Sequence, residues 1–282
     1  MRRRRPHRIA SAAFAAACPL GAAVALLAGS GCSQPTDVQP FPGACISFEV
    51  VKWSPLGMAD NVPTNTAVGL TFSDYPDPDT VNASSLLVTT GVFWHTGIYR
   101  VDLVTRTVHF RTPTPLRPDL GYSVTVFPPL KSLQGCATTQ QQRSFHTGAL
   151  PGPTPPDPPA TPFSAVLPIF AASCGGAPCH RAAADSAAVG TGCLDAPAKG
   201  LSLCDAQAYD ALVGVPSREV SRLKLVAPND SSRSFLMRKL LSAERSGPPV
   251  PSTPGHRDPP GAGLDEAALR TIADWIDTGA GR

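Results

Sequence analysis

Charge is scarce in this 282-residue chain: 16% of its residues are charged and the formal net charge is +3. The positive balance is local. Arg2, Arg3, Arg4, Arg5 and Arg8 lie in the first ten residues, and no acid occurs before Asp37. Setting those five aside leaves 19 of the 24 basic residues against 21 acids, about −2 for the rest. That excludes the basic footprint of a nucleic-acid-binding protein. A long unbroken apolar run is also lacking. The candidate, "IASAAFAAACPLGAAVALLA" at residues 9 to 28, is alanine-rich and interrupted by Pro19, which excludes a permanent membrane-spanning helix. Aromatics make up 6%, and there are three methionines: Met1, Met58 and Met237. Proline (32) and glycine (24) are abundant instead, and the 42% apolar content still supports globular cores, with length enough for two domains.

The basic start followed by a short apolar run reads as a bacterial export signal over residues 1–32. It ends in "LLAGSGC", and small residues ahead of Cys32 resemble a lipoprotein cleavage site, which would make Cys32 the lipidated residue. Gly29 stands where that pattern has a branched apolar residue, and cleavage near Gly31 to a soluble product is the alternative. Either route places the protein outside the cytoplasm, in the periplasm or at the outer membrane or cell surface, the first with a membrane attachment through the lipid anchor. Without Cys18 and Cys32, six cysteines remain in three sequential pairs: Cys45 and Cys136, Cys174 and Cys179, Cys193 and Cys204.

Residues 33–44 read as a tether. "PGPTPPDPPATP", residues 151 to 162, holds seven prolines in twelve positions. It makes 150–162 a linker and a semi-rigid spacer of about 37 Å at ~3.1 Å per residue. Both tethers are expected to hold the domains clear of a membrane. Between them, residues 45–149 read as all-β. "AVGLTFS", "SLLVTT", "IYRVDLV", "TVHFRT" and "YSVTVF" are short β-rich runs punctuated by Gly, Pro, Asn and Asp, as in a sandwich. His95, His109 and His146 are scattered, with no carboxylate or cysteine at ligand spacing.

The order "SPLGMADNVPTNTAVGLTFS", "LRPDLGYSVTV", "RSFHTG" resembles the bacterial Ig-like domains of surface-layer and adhesin proteins. The resemblance implies a spacer or adhesion module without chemistry. It also implies parallel first and last strands, so that a Cys45–Cys136 disulfide is expected, worth about 4–5 kcal/mol for a loop of roughly 90 residues.

Residues 163–282 change character. "PFSAVLPIFAAS" is a helix candidate with Val166, Ile169, Phe170 and Ser173 near one face. "DAQAYDALVG" and "SRSFLMRKLL" suggest two more. In "LDEAALRTIADWIDTGA", Leu269, Ile272, Ala273 and Ile276 follow helical spacing, Asp265 and Glu266 suit the first turn, and Gly279 is a C-terminal stop. The stretch "SCGGAPCHRAA" lies directly after the first helix. Two cysteines followed at once by a histidine suit covalent haem, although the usual gap is two residues and this one holds four, Gly175 to Pro178. A Cys174–Cys179 disulfide beside a bystander histidine fits the same residues.

The frame "IFAASCGGAPCH", "GLSLCDAQAYDALVGV", "LVAPNDSSRSFLMRKL" and "HRDPPGAGLDEAALRTIADWIDTGA" is similar to the cytochrome c-like domains of exported planctomycete and myxobacterial proteins. The resemblance implies a multidomain chain, an all-β Ig-like sandwich followed by a mainly α cytochrome c-like domain. It implies one haem c, attached by addition of the Cys174 and Cys179 thiols across two vinyl groups, with His180 as the proximal iron ligand. Gly175 and Gly176 would let the longer loop bulge. A buried haem would also supplement a thin, aromatic-poor core.

Where that family has a methionine ligand, "GHRDPPG" places Asp258, a poor ligand for ferrous haem. Of the methionines, Met58 falls in the Ig-like domain and Met237 suits a core role. The sixth iron position is therefore expected to hold His256 or to stay open. Cys193 and Cys204 have no following histidine and read as a disulfide, with a four-thiolate zinc site of Cys174, Cys179, Cys193 and Cys204 as the alternative. Three functions follow: an anchored electron carrier serving a redox partner protein; a haem-free structural or adhesive surface protein; and an open-site haem enzyme or sensor of peroxidase type. The haem motif points to a carrier rather than an enzyme.

Overall fold

The structure, a computed structural model, describes residues 47–154, 156–174, 180, 200–204, 207–241 and 263–282. Cys32, Cys45, Cys179, Cys193 and His256 lie outside them, and so does most of the segment quoted for the haem loop.

Among the described residues nine strands form two sheets: β1 (Val50–Ser54), β2 (Ala59–Val62), β3 (Val68–Phe72), β4 (Leu86–Thr90), β5 (Phe93–His95), β6 (Ile98–Asp102), β7 (Thr107–Arg111), β8 (Gly121–Val126) and β9 (Gln141–Thr147). The sheet orders are β1-β3-β7-β6 and β2-β9-β8-β4-β5. Alternation explains the packing. Val68, Leu70 and Phe72 of β3, Leu86 and Val88 of β4, Val108 and Phe110 of β7, and Tyr122, Val124 and Val126 of β8 point inward and make one apolar core. All five β-rich runs of the sequence are strands. β2 runs parallel to β9, with Val62 opposite Thr147, and an isolated parallel bridge joins Phe48 to Thr138. The first and last segments are thus side by side, and Cys136, two residues before that bridge, is disulfide-bonded.

Among the described residues four helices follow: α1 (Phe163–Cys174), α2 (Ala208–Leu212), α3 (Phe235–Leu240) and α4 (Glu266–Asp277). All four expected helices exist, but two are short, and much of the rest of the described segment is turn and loop. α1 contains Pro168, which supplies no N–H and ordinarily breaks a helix. Tertiary contact maintains it, because Phe163, Val166, Phe170 and Cys174 recur on one face and are all buried. The stripe therefore includes Cys174 in place of Ser173. α4 begins at Asp265, whose carboxylate accepts from the Ala268 N–H at 2.7 Å. It ends where Gly279 adopts φ +107°, a left-handed angle that suits glycine. α1 and α4 pack together, with the Phe163 and Trp275 rings 5.0 Å apart.

The linker does not separate the domains. Asn65 and Gly152 exchange two hydrogen bonds of 2.8 Å, and the Thr161 N–H donates to Thr278 Oγ1 at 3.2 Å. The proline-rich segment is thus fixed to the sandwich at one end and to the helical part at the other. Val104 of the sandwich belongs to the same apolar cluster as α1 and α4, and Tyr75, Leu103 and Leu133 pack with Leu241. Charges reinforce the seam. Arg270 Nη2 donates to Asp102 Oδ2 at 2.9 Å, Arg222 bonds Asp79, and Arg233 bonds Asp79 at 3.3 Å and the Pro78 carbonyl at 3.0 Å. The semi-rigid spacer reading did not foresee this surface, because its partners are separated by 143 to 168 residues in the chain.

Burial pushes the Asp79 carboxyl up, but hydrogen bonds from Arg222 and Arg233 and the charges of Arg222 and Arg238 hold it below the ordinary aspartate value. Its charged form therefore stabilises the seam above the ordinary range, and that contribution is lost as pH falls through the lowered value. Asp79→Asn is expected to lower stability at neutral pH by about 0.2–1 kcal/mol, the range for water-screened pairs. In urea titrations the difference from the natural chain should shrink as pH falls past the ordinary aspartate value and vanish only below the lowered one; a difference constant with pH contradicts this role.

Candidate functional site

The C-terminal end of α1 carries the chemistry-bearing residues that fall within the described part. Cys174 is its last residue and is buried; His180 is buried as well. Three backbone-linked contacts hold the histidine. Its N–H donates to the Cys174 carbonyl at 3.2 Å, its carbonyl accepts from the Leu203 N–H at 3.0 Å, and its ring Nδ1 lies 3.1 Å from the Leu201 carbonyl.

The last contact decides the tautomer. A carbonyl oxygen can only accept, so Nδ1 must carry the proton. The lone pair is then on Nε2, the nitrogen at the tip of the ring, which takes no hydrogen bond among the described residues. This is how a protein orients a histidine to ligate a metal: one nitrogen is anchored to the backbone and the other is left basic. The surroundings are apolar. Phe163, Val166, Phe170, Cys174, Leu203, Leu212, Met237, Leu264, Leu269 and Trp275 belong to one buried cluster, so Met237 is a core residue as its sequence context suggests.

Cys204 is disulfide-bonded. That corrects the zinc alternative, because an oxidised sulfur has no thiolate to give to a four-cysteine site. Among the described residues no group of three or more His, Cys, Asp or Glu gathers at metal-binding distance. His95, His109 and His146 remain apart: His95 bonds Thr90 Oγ1 and lies tilted against the Tyr122 ring, and His146 bonds the Thr147 carbonyl. No described helix is long and apolar enough to cross a membrane.

Sequence reasoning missed Arg238. It lies on α3 with its side chain fully screened from solvent, and Nε, Nη1 and Nη2 make no hydrogen bond among the described residues. A signal was present. In "SFLMRKLL" apolar residues occupy every side of the helix, so the helix is buried all round and a basic residue in it has limited access to water.

Residues 46–147 match the family model described as a bacterial Ig-like domain. No curated protein matches the chain. Solved structures similar to it include domains 1–6 of the surface layer protein SbsC, at 16% identity and TM-score 0.30 over 39% of this chain and 14% of that one. CopC from Methylosinus trichosporium OB3b matches at 14% identity and TM-score 0.30, over 38% of this chain and 99% of CopC. An L,D-transpeptidase from Mycobacterium smegmatis matches at 17% identity and TM-score 0.28, over 36% and 41%. The chain spans only a small part of the surface layer protein, and likenesses this low carry no function across.

Proposed function

We propose that the chain is an exported envelope protein that carries one haem c in its helical domain and passes single electrons to a partner protein, with the Ig-like domain as its rigid support. The observation that carries this is His180. It directly follows Cys179 in sequence, is bonded by its backbone to Cys174, and keeps its ring anchored through Nδ1 so that Nε2 is left to ligate. Cys174 and Cys179 would hold the group covalently and His180 would bind the iron. When bound, the group supplies a one-electron iron couple. The apolar cluster that contains Cys174 would exclude water from it. His256, or no side chain, would stand on the opposite side.

The export-signal reading and the Ig-like domain support an envelope location, and lipidation at Cys32 would supply a membrane anchor. Cys136 would pair with Cys45, since the parallel bridge at Phe48 and Thr138 runs back toward both, and Cys204 with Cys193.

A haem-free surface role is the second reading. It is favoured by the Ig-like match and by the exposed hairpin residues Val92, Phe93 and Trp94, at 85%, 69% and 76% exposure, which suit contact with another surface. Denaturing intact-mass spectrometry of the full chain made with cytochrome c maturation machinery separates the two. One haem increment, with an absorption spectrum that cycles reversibly between dithionite and ferricyanide, is expected. A chain at apoprotein mass with Cys174 cross-linked to Cys179 overturns the haem reading.

A further inference from the structure

The hairpin of β4 and β5 carries three consecutive exposed apolar residues. Thr90 pairs with Phe93, which leaves a two-residue turn of Gly91 and Val92. Gly91 takes φ +56°, the left-handed angle that such a turn requires, and a side chain there would meet no described atom within 4 Å. Val92 is 85% exposed, Phe93 69% and Trp94 76%. Neighbours on a strand point to opposite faces, so the Phe93 and Trp94 rings leave the ribbon on its two sides. A flat protein surface covers one of them and not both. A fluid lipid interface closes around both, and it suits aromatic side chains.

The charges at this end of the sandwich fit an anionic partner. The connection 112–120 joins the end of β7 to the start of β8 here, since Thr89 of β4 lies opposite Ser123 of β8. Arg111 ends β7 opposite the exposed Ile98, and Arg117 lies in the connection; both arginines are exposed. The Arg117 N–H donates to Tyr122 Oη at 2.7 Å, and the Tyr122 ring lies 5.2 Å from His95 of β5. Arg100, two residues after Ile98 on the same face, adds a third exposed cation. Asp119 is the acid in the connection, and Asp60 is on β2, at the opposite edge of the sheet from β5. Asp77, Asp79 and Asp102 stand at the other end of the sandwich, where they meet the arginines of the helical part.

We propose that this end of the sandwich docks on an anionic lipid surface, with Val92, Phe93 and Trp94 entering the headgroup region and Arg111 and Arg117 meeting lipid phosphates. The docking names the surface to which the hairpin was assigned above. It rests on the envelope location and needs neither haem nor a lipid at Cys32. The helical part joins the opposite end of the sandwich, so docking directs it away from the bilayer.

The test uses the mature chain from Ser33 onward, which lacks the signal and Cys32, so that no lipid anchor binds in place of the hairpin. The chain is sedimented with phosphatidylglycerol vesicles and with phosphatidylcholine vesicles. Binding to the first and little to the second is expected, with tryptophan emission quenched by brominated acyl chains. Trp275 is buried and Trp53 half-buried, so the quenching should disappear in Trp94→Phe while binding remains. Phe93→Ser with Trp94→Ser should weaken binding about tenfold or more, and so should Arg111→Gln with Arg117→Gln. All four side chains are exposed, so folding is expected to survive both changes. No binding by the natural chain, or unchanged binding in the tip variant, overturns the proposal. Self-association that the tip variant abolishes, without vesicle binding, makes the hairpin a protein contact and overturns it as well. Failure of the envelope location shows separately, as a chain recovered with the cytoplasm.

Discussion

A chain carrying Cys174→Ala together with Cys179→Ala is expected to lose all haem staining on a denaturing gel. Each thioether replaces a vinyl group by a carbon–sulfur bond that survives denaturation, so one remaining bond retains haem and none releases it. The single variants should therefore stain more weakly and the double variant not at all. Cys193→Ala with Cys204→Ala is the control. Cys204 is oxidised in a disulfide, so that pair should keep the haem and lose about 2–5 kcal/mol of stability. Full staining in the Cys174 and Cys179 double variant would remove the attachment assignment. Equal loss in both double variants would show that staining reports folding rather than attachment.

Trp275→Ala is expected to destabilise the helical domain by about 3–5 kcal/mol, the usual range for truncating a buried aromatic. Trp275 has no exposure, and its ring lies 5.0 Å from Phe163 at the crossing of α1 and α4. Its Nε1 also donates to the Gly281 carbonyl at 2.7 Å, which fastens the C-terminal residues over the helix end, where Tyr209 bonds the Ala280 carbonyl. The cavity would open in the apolar cluster that Val166, Phe170 and Leu269 share with Trp275. Trp275→Phe keeps most of the packing and loses the hydrogen bond, so it should cost less. Urea denaturation of the full chain, followed by hydrogen exchange in α1 and α4, checks both. A loss near zero for alanine would mean that α1 is not held through this contact.

The second of these effects was half legible in the sequence. Leu269, Ile272, Ala273 and Ile276 announce α4 and its buried side, and Asp265 and Gly279 announce its ends; these signals lie within one turn of the residues they govern. Trp275 shares that face but was not singled out, because it falls between the periodic positions. The strands with alternating β-branched residues were equally plain. β2, with Ala59, Asp60 and Asn61, and the three-residue β5 were not, since pairing rather than propensity makes them strands. Cys174 and His180 could be picked out by spacing. The anchor of the His180 ring could not, because the Leu201 carbonyl is backbone, 21 residues away, and leaves no mark on the sequence. The domain seam was hidden for the same reason. Asp79 and Arg222 look like ordinary surface charges until folding brings them together.

The pyridine haemochrome spectrum of the purified full-length protein, made with cytochrome c maturation machinery, tests the central claim most directly. The account predicts a c-type spectrum at about one haem per chain, retained after acid–acetone extraction as two thioethers require. A chain that is folded, with Cys136 and Cys204 oxidised, yet gives no haemochrome signal would contradict it and leave the haem-free surface role.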